Sequence, residues 1–135
     1  MNSITAPRLR TVAQIRAAGL WTENCPVRDV LARVGGKWST LILGMLAERP
    51  QRFGELRRGL EDISQRMLTQ TLRELQRDGL VSRRVFPTQP PSVEYALTDL
   101  GRSMLPSLAA LIHWAELNHE AIRVSRRAFD AAERS

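Results

Sequence analysis

Residues 64–80 read SQRMLTQTLRELQRDGL. At the helical period, Ser64, Thr71, Leu72 and Leu75 fall within about sixty degrees of Leu68 and form one face suited to a core. Arg66, Thr69, Gln70, Arg73 and Arg77 project from the opposite face. Ser64 has the side chain of a helix N-cap, and Gly79 that of a C-terminal stop. The polar face carries guanidinium groups interleaved with side chains that both donate and accept. Such a set suits the floor of a DNA major groove, where Arg pairs with guanine and Gln with adenine. A solvated helix face is the alternative reading, and the neighbouring sequence decides between them.

Immediately upstream, Phe53, Leu56 and Leu60 recur at three- and four-residue spacing and predict a short helix with Arg57 and Arg58 on its outer side. Four residues separate Leu60 from the Ser64 cap. Two short helices with a tight connection and a polar-faced second member make a helix-turn-helix, in which the first helix braces the second. Downstream, the period changes to two. LVSRRVF (80–86) and SVEYAL (92–97) alternate like strands, and Pro87, Pro90 and Pro91 between them cannot pair in a sheet interior. A β-hairpin with a proline-rich tip directly behind a recognition-type helix is a wing. Arg83, Arg84 and the tip from Thr88 through Gln89 to Ser92 are therefore expected beside the DNA backbone or minor groove. Over residues 52–84 eight Arg face five acidic residues, so the placement of charge matters more than its total.

Further out, residues 7–18 carry Leu9, Val12, Ile15 and Ala18 and predict a short helix ended by Gly19. A helix from Pro26 is expected to turn Val27, Val30, Leu31 and Val34 inward and to stop at Gly35-Gly36. A central helix from Lys37 to Ala47 would bury Trp38, Leu41, Ile42, Met45 and Leu46. The run GGKWST lacks the first glycine and the Ser/Thr of a phosphate-binding loop, so nucleotide binding is rejected there. Thr98 opens the last helix, whose apolar seam of Leu100, Met104, Leu108, Leu111, Ala115 and Ile122 is expected to pair with a second subunit; Pro106 predicts a kink within it. The chain thus divides into an arm (1–24) for dimerisation or docking, a winged helix-turn-helix core (25–98), and a dimerisation helix with its tail (99–135).

The 135 residues suffice for one domain, and 43% apolar and 25% charged residues are those of a folded protein. The net charge of +6 fits a polyanionic partner. Nineteen of the twenty cations are Arg, which suits bidentate contacts to phosphate and base but also follows from a GC-rich genome. The single cysteine, Cys25, excludes an intramolecular disulfide and a multi-cysteine zinc site. No signal peptide or membrane span is visible, so a soluble, cytoplasmic protein is expected.

Cys25-Pro26, Gly35-Gly36-Lys37-Trp38, Arg52-Phe53-Gly54-Glu55-Leu56, the block from Ile63-Ser64 to Leu75, Gly79-Leu80-Val81, Pro90-Pro91-Ser92-Val93-Glu94-Tyr95 and Leu97-Thr98-Asp99-Leu100-Gly101 resemble, in order and spacing, the HxlR-type winged helix-turn-helix regulators related to the MarR group. The resemblance covers roughly residues 24–117. It implies a mainly helical fold with a small β-hairpin wing, and a homodimeric bacterial transcription factor, expected to repress from a pseudo-palindromic operator. It also implies DNA reading by residues 64–77 and by the wing around Thr88–Ser92. Some members of the family sense oxidants through a cysteine at the position of Cys25, which makes that residue a candidate redox sensor; without a second cysteine, any disulfide would join two subunits or a small thiol. A helix start and the nearby Arg28 and Arg33 would favour its thiolate. A packing residue without chemistry is the competing reading.

Arg66, Thr69, Gln70 and Arg73 are assigned to base reading, and Ser64, Arg77, Arg83 and Arg84 to phosphates. Double-stranded DNA and a second copy of the chain are the expected partners, with an oxidant or small molecule as effector and no cofactor. His113, Glu116 and Glu120 share a helix face, but a solvated polar face explains them better than a metal site. Trp21 and Trp114 are candidate walls of an effector pocket. No nucleophile elbow, carboxylate pair or dinucleotide loop supports an enzyme. The competing non-enzymatic reading is a winged-helix scaffold without DNA affinity.

Overall fold

A computed structural model describes residues 11–17 and 26–135. In chain order its elements are α1 (Val12–Ala17), α2 (Pro26–Val34), α3 (Lys37–Glu48), β1 (Gln51–Arg52), α4 (Phe53–Gly59), α5 (Gln65–Arg77), β2 (Val81–Phe86), β3 (Ser92–Leu97), α6 (Asp99–Ser103) and α7 (Leu105–Glu133). The sheet is antiparallel with order β1-β3-β2. This is the expected mainly helical winged helix-turn-helix, with one addition. The two-residue β1 pairs Gln51 with Tyr95 and Arg52 with Glu94. It is too short to show an alternation. It is anchored instead by the buried Gln51, whose Nε2 donates to the carbonyl of Met45 at 2.6 Å.

The core gathers Ile42, Leu43 and Leu46 of α3, Leu56 of α4, Leu68, Leu72 and Leu75 of α5, and Val81, Tyr95 and Leu97 of the sheet. The α3 stripe is rotated slightly from its expected position. Leu43 is fully buried, whereas Leu41 is exposed and Trp38 and Met45 are half-buried. The inward face expected of α2 is also corrected. Val30 and Leu31 are 53% and 59% exposed, because among the described elements α2 packs chiefly along α3 and leaves that side open. The side chain of Val27 lies outside the described residues.

The joint behind the recognition helix depends on two glycines. Gly79, at φ 78°, closes α5 with a Schellman pair in which Leu80 N donates to Leu75 O and Gly79 N to Gln76 O. A Cβ on Gly101 would sit 2.2 Å from the carbonyl oxygen of Leu80, so α6 can approach the base of the wing only with glycine there. Thr98 locks the same corner. Its Oγ1 accepts from Gly101 N at 3.0 Å and donates to Gly79 O.

The expected single, kinked C-terminal helix is in fact two helices joined at Met104. Pro106 falls in the first turn of α7, where its missing N–H costs no hydrogen bond. The proline therefore starts a helix and does not bend one.

Candidate nucleic-acid interface

Helix α5 is positioned from both ends and from below. At its start, Ser64 Oγ accepts from Met67 N at 3.0 Å, which satisfies an end donor and leaves the exposed hydroxyl hydrogen free to donate. The core face buries Leu68, Thr71, Leu72 and Leu75 as expected; the Thr71 hydroxyl is satisfied by Met67 O at 2.7 Å. Ser64 itself, counted with that face in the sequence, is exposed as the cap. Ile63 is buried in the turn and holds α4 against α5, while Arg57 of α4 reaches Gln65 Oε1 at 3.4 Å.

Arg66, Thr69, Gln70, Arg73 and Arg77 are all exposed and line one open trough along the outer side of α5. Glu74 lines the same trough, where its Oε1 accepts from Gln70 Nε2 at 3.4 Å, but its charge is shared with a cation outside α5. Arg33 of α2 bridges to Glu74 at 2.8 Å and to Asp78 at 2.5 Å. The hydrogen bond to Asp78, together with the neighbouring carboxylates, holds the Arg33 guanidinium above its ordinary pKa. Arg66, Arg73 and Arg77 consequently have no ion-pair partner among the described residues. The exposed face presents guanidinium donors, and the Glu74 carboxylate at its edge is offset by Arg33 of α2. Sequence reasoning missed Arg33 as a clamp, since its partners lie more than forty residues away and no periodic pattern links them.

Helix α4 carries a matching device. Arg49 pairs with Glu55 at 2.7 Å, and Glu55 Oε1 accepts from Arg52 N at 3.1 Å at the helix start. The Arg49 guanidinium, and after it the Arg52 amide, holds the Glu55 carboxyl below the ordinary carboxylate range.

The wing forms with the expected strands, in the register Val81↔Leu97 through Phe86↔Ser92. Arg83 and Arg84 are both exposed, but as consecutive strand residues they leave opposite faces of the sheet. Arg83 lies opposite Tyr95, whereas Arg84 lies opposite Glu94 and stacks over Phe86 at 4.7 Å. The two arginines therefore do not form a single contact surface. At the tip, Thr88 and Gln89 are exposed and Ser92 is half-buried. The Thr88 hydroxyl donates to Pro90 O at 2.7 Å, which fixes the turn.

The dimer seam expected on the C-terminal helices divides. Leu108 is buried in the chain's own core and Met104 is packed against it, because the α6–α7 break folds this end of the stripe back onto the domain. Leu100, Leu111 and Ala115 are exposed, and Ile122 is half-buried. Trp114, Leu117, Val124 and Phe129, absent from the expected seam, are exposed as well.

Cys25, Trp21 and most of the arm lie outside the described residues. Within the arm, α1 begins at a reciprocal cap in which Thr11 N donates to Gln14 Oε1 and Gln14 N to Thr11 Oγ1. A cleft of about 470 Å³ lies between α2, the end of α5 and the α6–α7 joint, lined by Val30, Arg33, Asp78, Leu80, Leu100 and Met104 among others. Among the described residues, no three His, Cys, Asp or Glu side chains converge as a metal site, and no helix is long and apolar enough to cross a membrane.

Residues 33–123 match the HxlR-like helix-turn-helix family. The HTH-type transcriptional regulator YtfH of Escherichia coli K12, itself uncharacterised, is 44% identical over 105 residues, which span 78% of this chain and 83% of that protein. Among solved structures, ytfH of Salmonella typhimurium, described as a transcriptional regulator, superposes with a TM-score of 0.73 at 42% identity over 80% of this chain and 96% of that one. The redox regulator HypR in its oxidised form gives a TM-score of 0.66 at 44% identity, covering 70% and 97%.

Proposed function

The chain belongs to the HxlR-like helix-turn-helix family of transcriptional regulators, and from that premise we propose that it binds a pseudo-palindromic operator as a homodimer and represses transcription there. Helix α5 enters the major groove, with Arg66, Thr69, Gln70 and Arg73 reading base edges. Ser64 and Arg77 hold phosphates at its flanks. Arg84 and the tip residues Thr88, Gln89 and Ser92 follow the backbone or minor groove, while Arg83, expected there as well, leaves the opposite face of the sheet. The observation that carries this reading is the outer face of α5, where Arg66, Arg73 and Arg77 have no ion-pair partner among the described residues and the neighbouring Glu74 is paired with Arg33.

Two modes of control fit the same scaffold. Cys25 supplies a thiol for an oxidant response through a disulfide to a second subunit or a small thiol; the similarity to a redox regulator favours this mode. The cleft beside Arg33 has the size of a small-effector site and touches the clamp that frees the α5 face. The test is selection of bound sequences from a random duplex pool, repeated with oxidised protein and with Cys25→Ser. Enrichment of a two-fold motif supports the operator reading, and its loss on oxidation of only the parent protein supports the thiol switch. Enrichment of nothing contradicts the first, and equal responses of the two proteins contradict the second.

A further inference from the structure

Among the described residues, Glu74 is the one carboxylate that lines the outer trough of α5. Its two oxygens have separate partners. Oε2 accepts from Arg33 Nη1 at 2.8 Å, and Oε1 accepts from Gln70 Nε2 at 3.4 Å. The second contact joins residues four apart on a helix, the spacing at which side chains meet. Arg33 is held in turn by Asp78 at the end of α5, to which its Nε donates. Arg33 and Glu74 are half-buried and Gln70 is exposed, so the contacts run from a seated guanidinium on α2 to an amide at the open surface.

The chemistry of these contacts decides which way the amide faces. A carboxylate only accepts hydrogen bonds, so Gln70 turns its NH2 group, and not its oxygen, towards Glu74. Oε1 and the second hydrogen of Nε2 are left for an outside partner. One acceptor beside one donor complements the N6 amino group and N7 of adenine in the major groove. Guanine offers two acceptors there, O6 and N7, and an untethered amide can give both of its hydrogens to them. With one hydrogen committed to Glu74, that second mode is lost.

We propose that Glu74 is a positioning residue for base recognition: anchored by Arg33, it orients the Gln70 amide so that α5 prefers adenine over guanine at the base pair facing Gln70. The inference rests on the base-reading role of Gln70 proposed above and adds a specificity determinant that touches no base itself. It also gives Arg33, on a different helix, an influence on sequence preference through Glu74.

Selection from a random duplex pool with the full chain tests this, comparing the parent with Gln70→Ala, Glu74→Ala, the double variant and Arg33→Gln. Gln70→Ala identifies the base pair, where it is expected to abolish an adenine preference of about 10-fold. Glu74→Ala should cut that preference below about 3-fold at the same base pair, admit guanine there, and leave the other positions as in the parent. In the Gln70→Ala background it should change nothing further at that pair. Because a negative charge leaves the trough, affinity of Glu74→Ala for random duplex is expected to hold or rise, whereas a merely loosened helix would weaken binding to every sequence. Arg33→Gln attacks the same contacts from α2 and should relax the same base pair, which keeps the test open if Glu74→Ala unfolds. An adenine preference retained in full by the folded Glu74→Ala protein, or by Arg33→Gln where the former unfolds, overturns the proposal. So does a preference lost at a different base pair, which would mean that Glu74 contacts a base directly. If Gln70→Ala shifts no preference, the base-reading role of Gln70 fails and the proposal with it, while Arg66 and Arg73 are judged at their own positions.

Discussion

Glu55 shows how a single half-buried residue serves the interface from a distance. Its carboxylate joins Arg49 to the amide of Arg52 and so fixes the start of α4, the helix that braces α5. Because its folded pKa is depressed, its contribution to stability is fully present above the unfolded value and is lost as pH falls through the folded one. Glu55→Gln is therefore expected to lower the urea midpoint at neutral pH, with the difference from the parent shrinking as pH falls below the ordinary carboxylate range. Salt should shrink it too, since the pair is solvent-screened. A difference that held constant from neutral pH into acid would contradict this role. Arg33 is the counterpart on the other side of α5. Neither residue announces itself in the sequence, because the value of each lies in a partner brought near by folding or in a backbone amide.

At the scale of elements, the recognition helix was the most legible part of the chain. Its period, its Ser64 cap and its Gly79 stop are local properties, and each appears in the structure as the residues dictate. Ser64→Ala removes the acceptor for Met67 N and is expected to cost about 0.5–2 kcal/mol of unfolding free energy, measured by chemical denaturation. The same substitution should weaken binding to specific and non-specific duplex alike, since Ser64 is proposed to hold a phosphate and to make no base contact. Less legible were elements defined by their neighbours. The short β1 has no periodicity of its own, and the break at Met104 depends on Gly101 seating α6 against Leu80. Pro106 was visible, but a proline starts a helix as readily as it bends one; only the packing of α6 determines which. The seam expected on the C-terminal helices divides for a related reason. Its apolar surface is wide enough to hold two stripes, and the one containing Leu108 belongs to the domain's own core.

At the scale of the whole molecule, the fold places an arginine face, a proline-tipped wing and a long exposed helix on one small domain. The proposed homodimer would present two copies of α5 to successive major grooves, which links operator symmetry to the oligomer. The central claim is that the outer face of α5 reads bases. Its most direct test is a competition of selected operator against random duplex at fixed salt, comparing Arg66→Gln and Arg73→Gln with Arg84→Gln. Each α5 variant is expected to lose about 1–3 kcal/mol of operator binding and to relax the preference at a particular base pair. The wing variant should weaken operator and random duplex in equal proportion and flatten the salt dependence. If Arg66→Gln and Arg73→Gln retained the parent's full discrimination between operator and random DNA, the assignment of this face to base reading would be wrong.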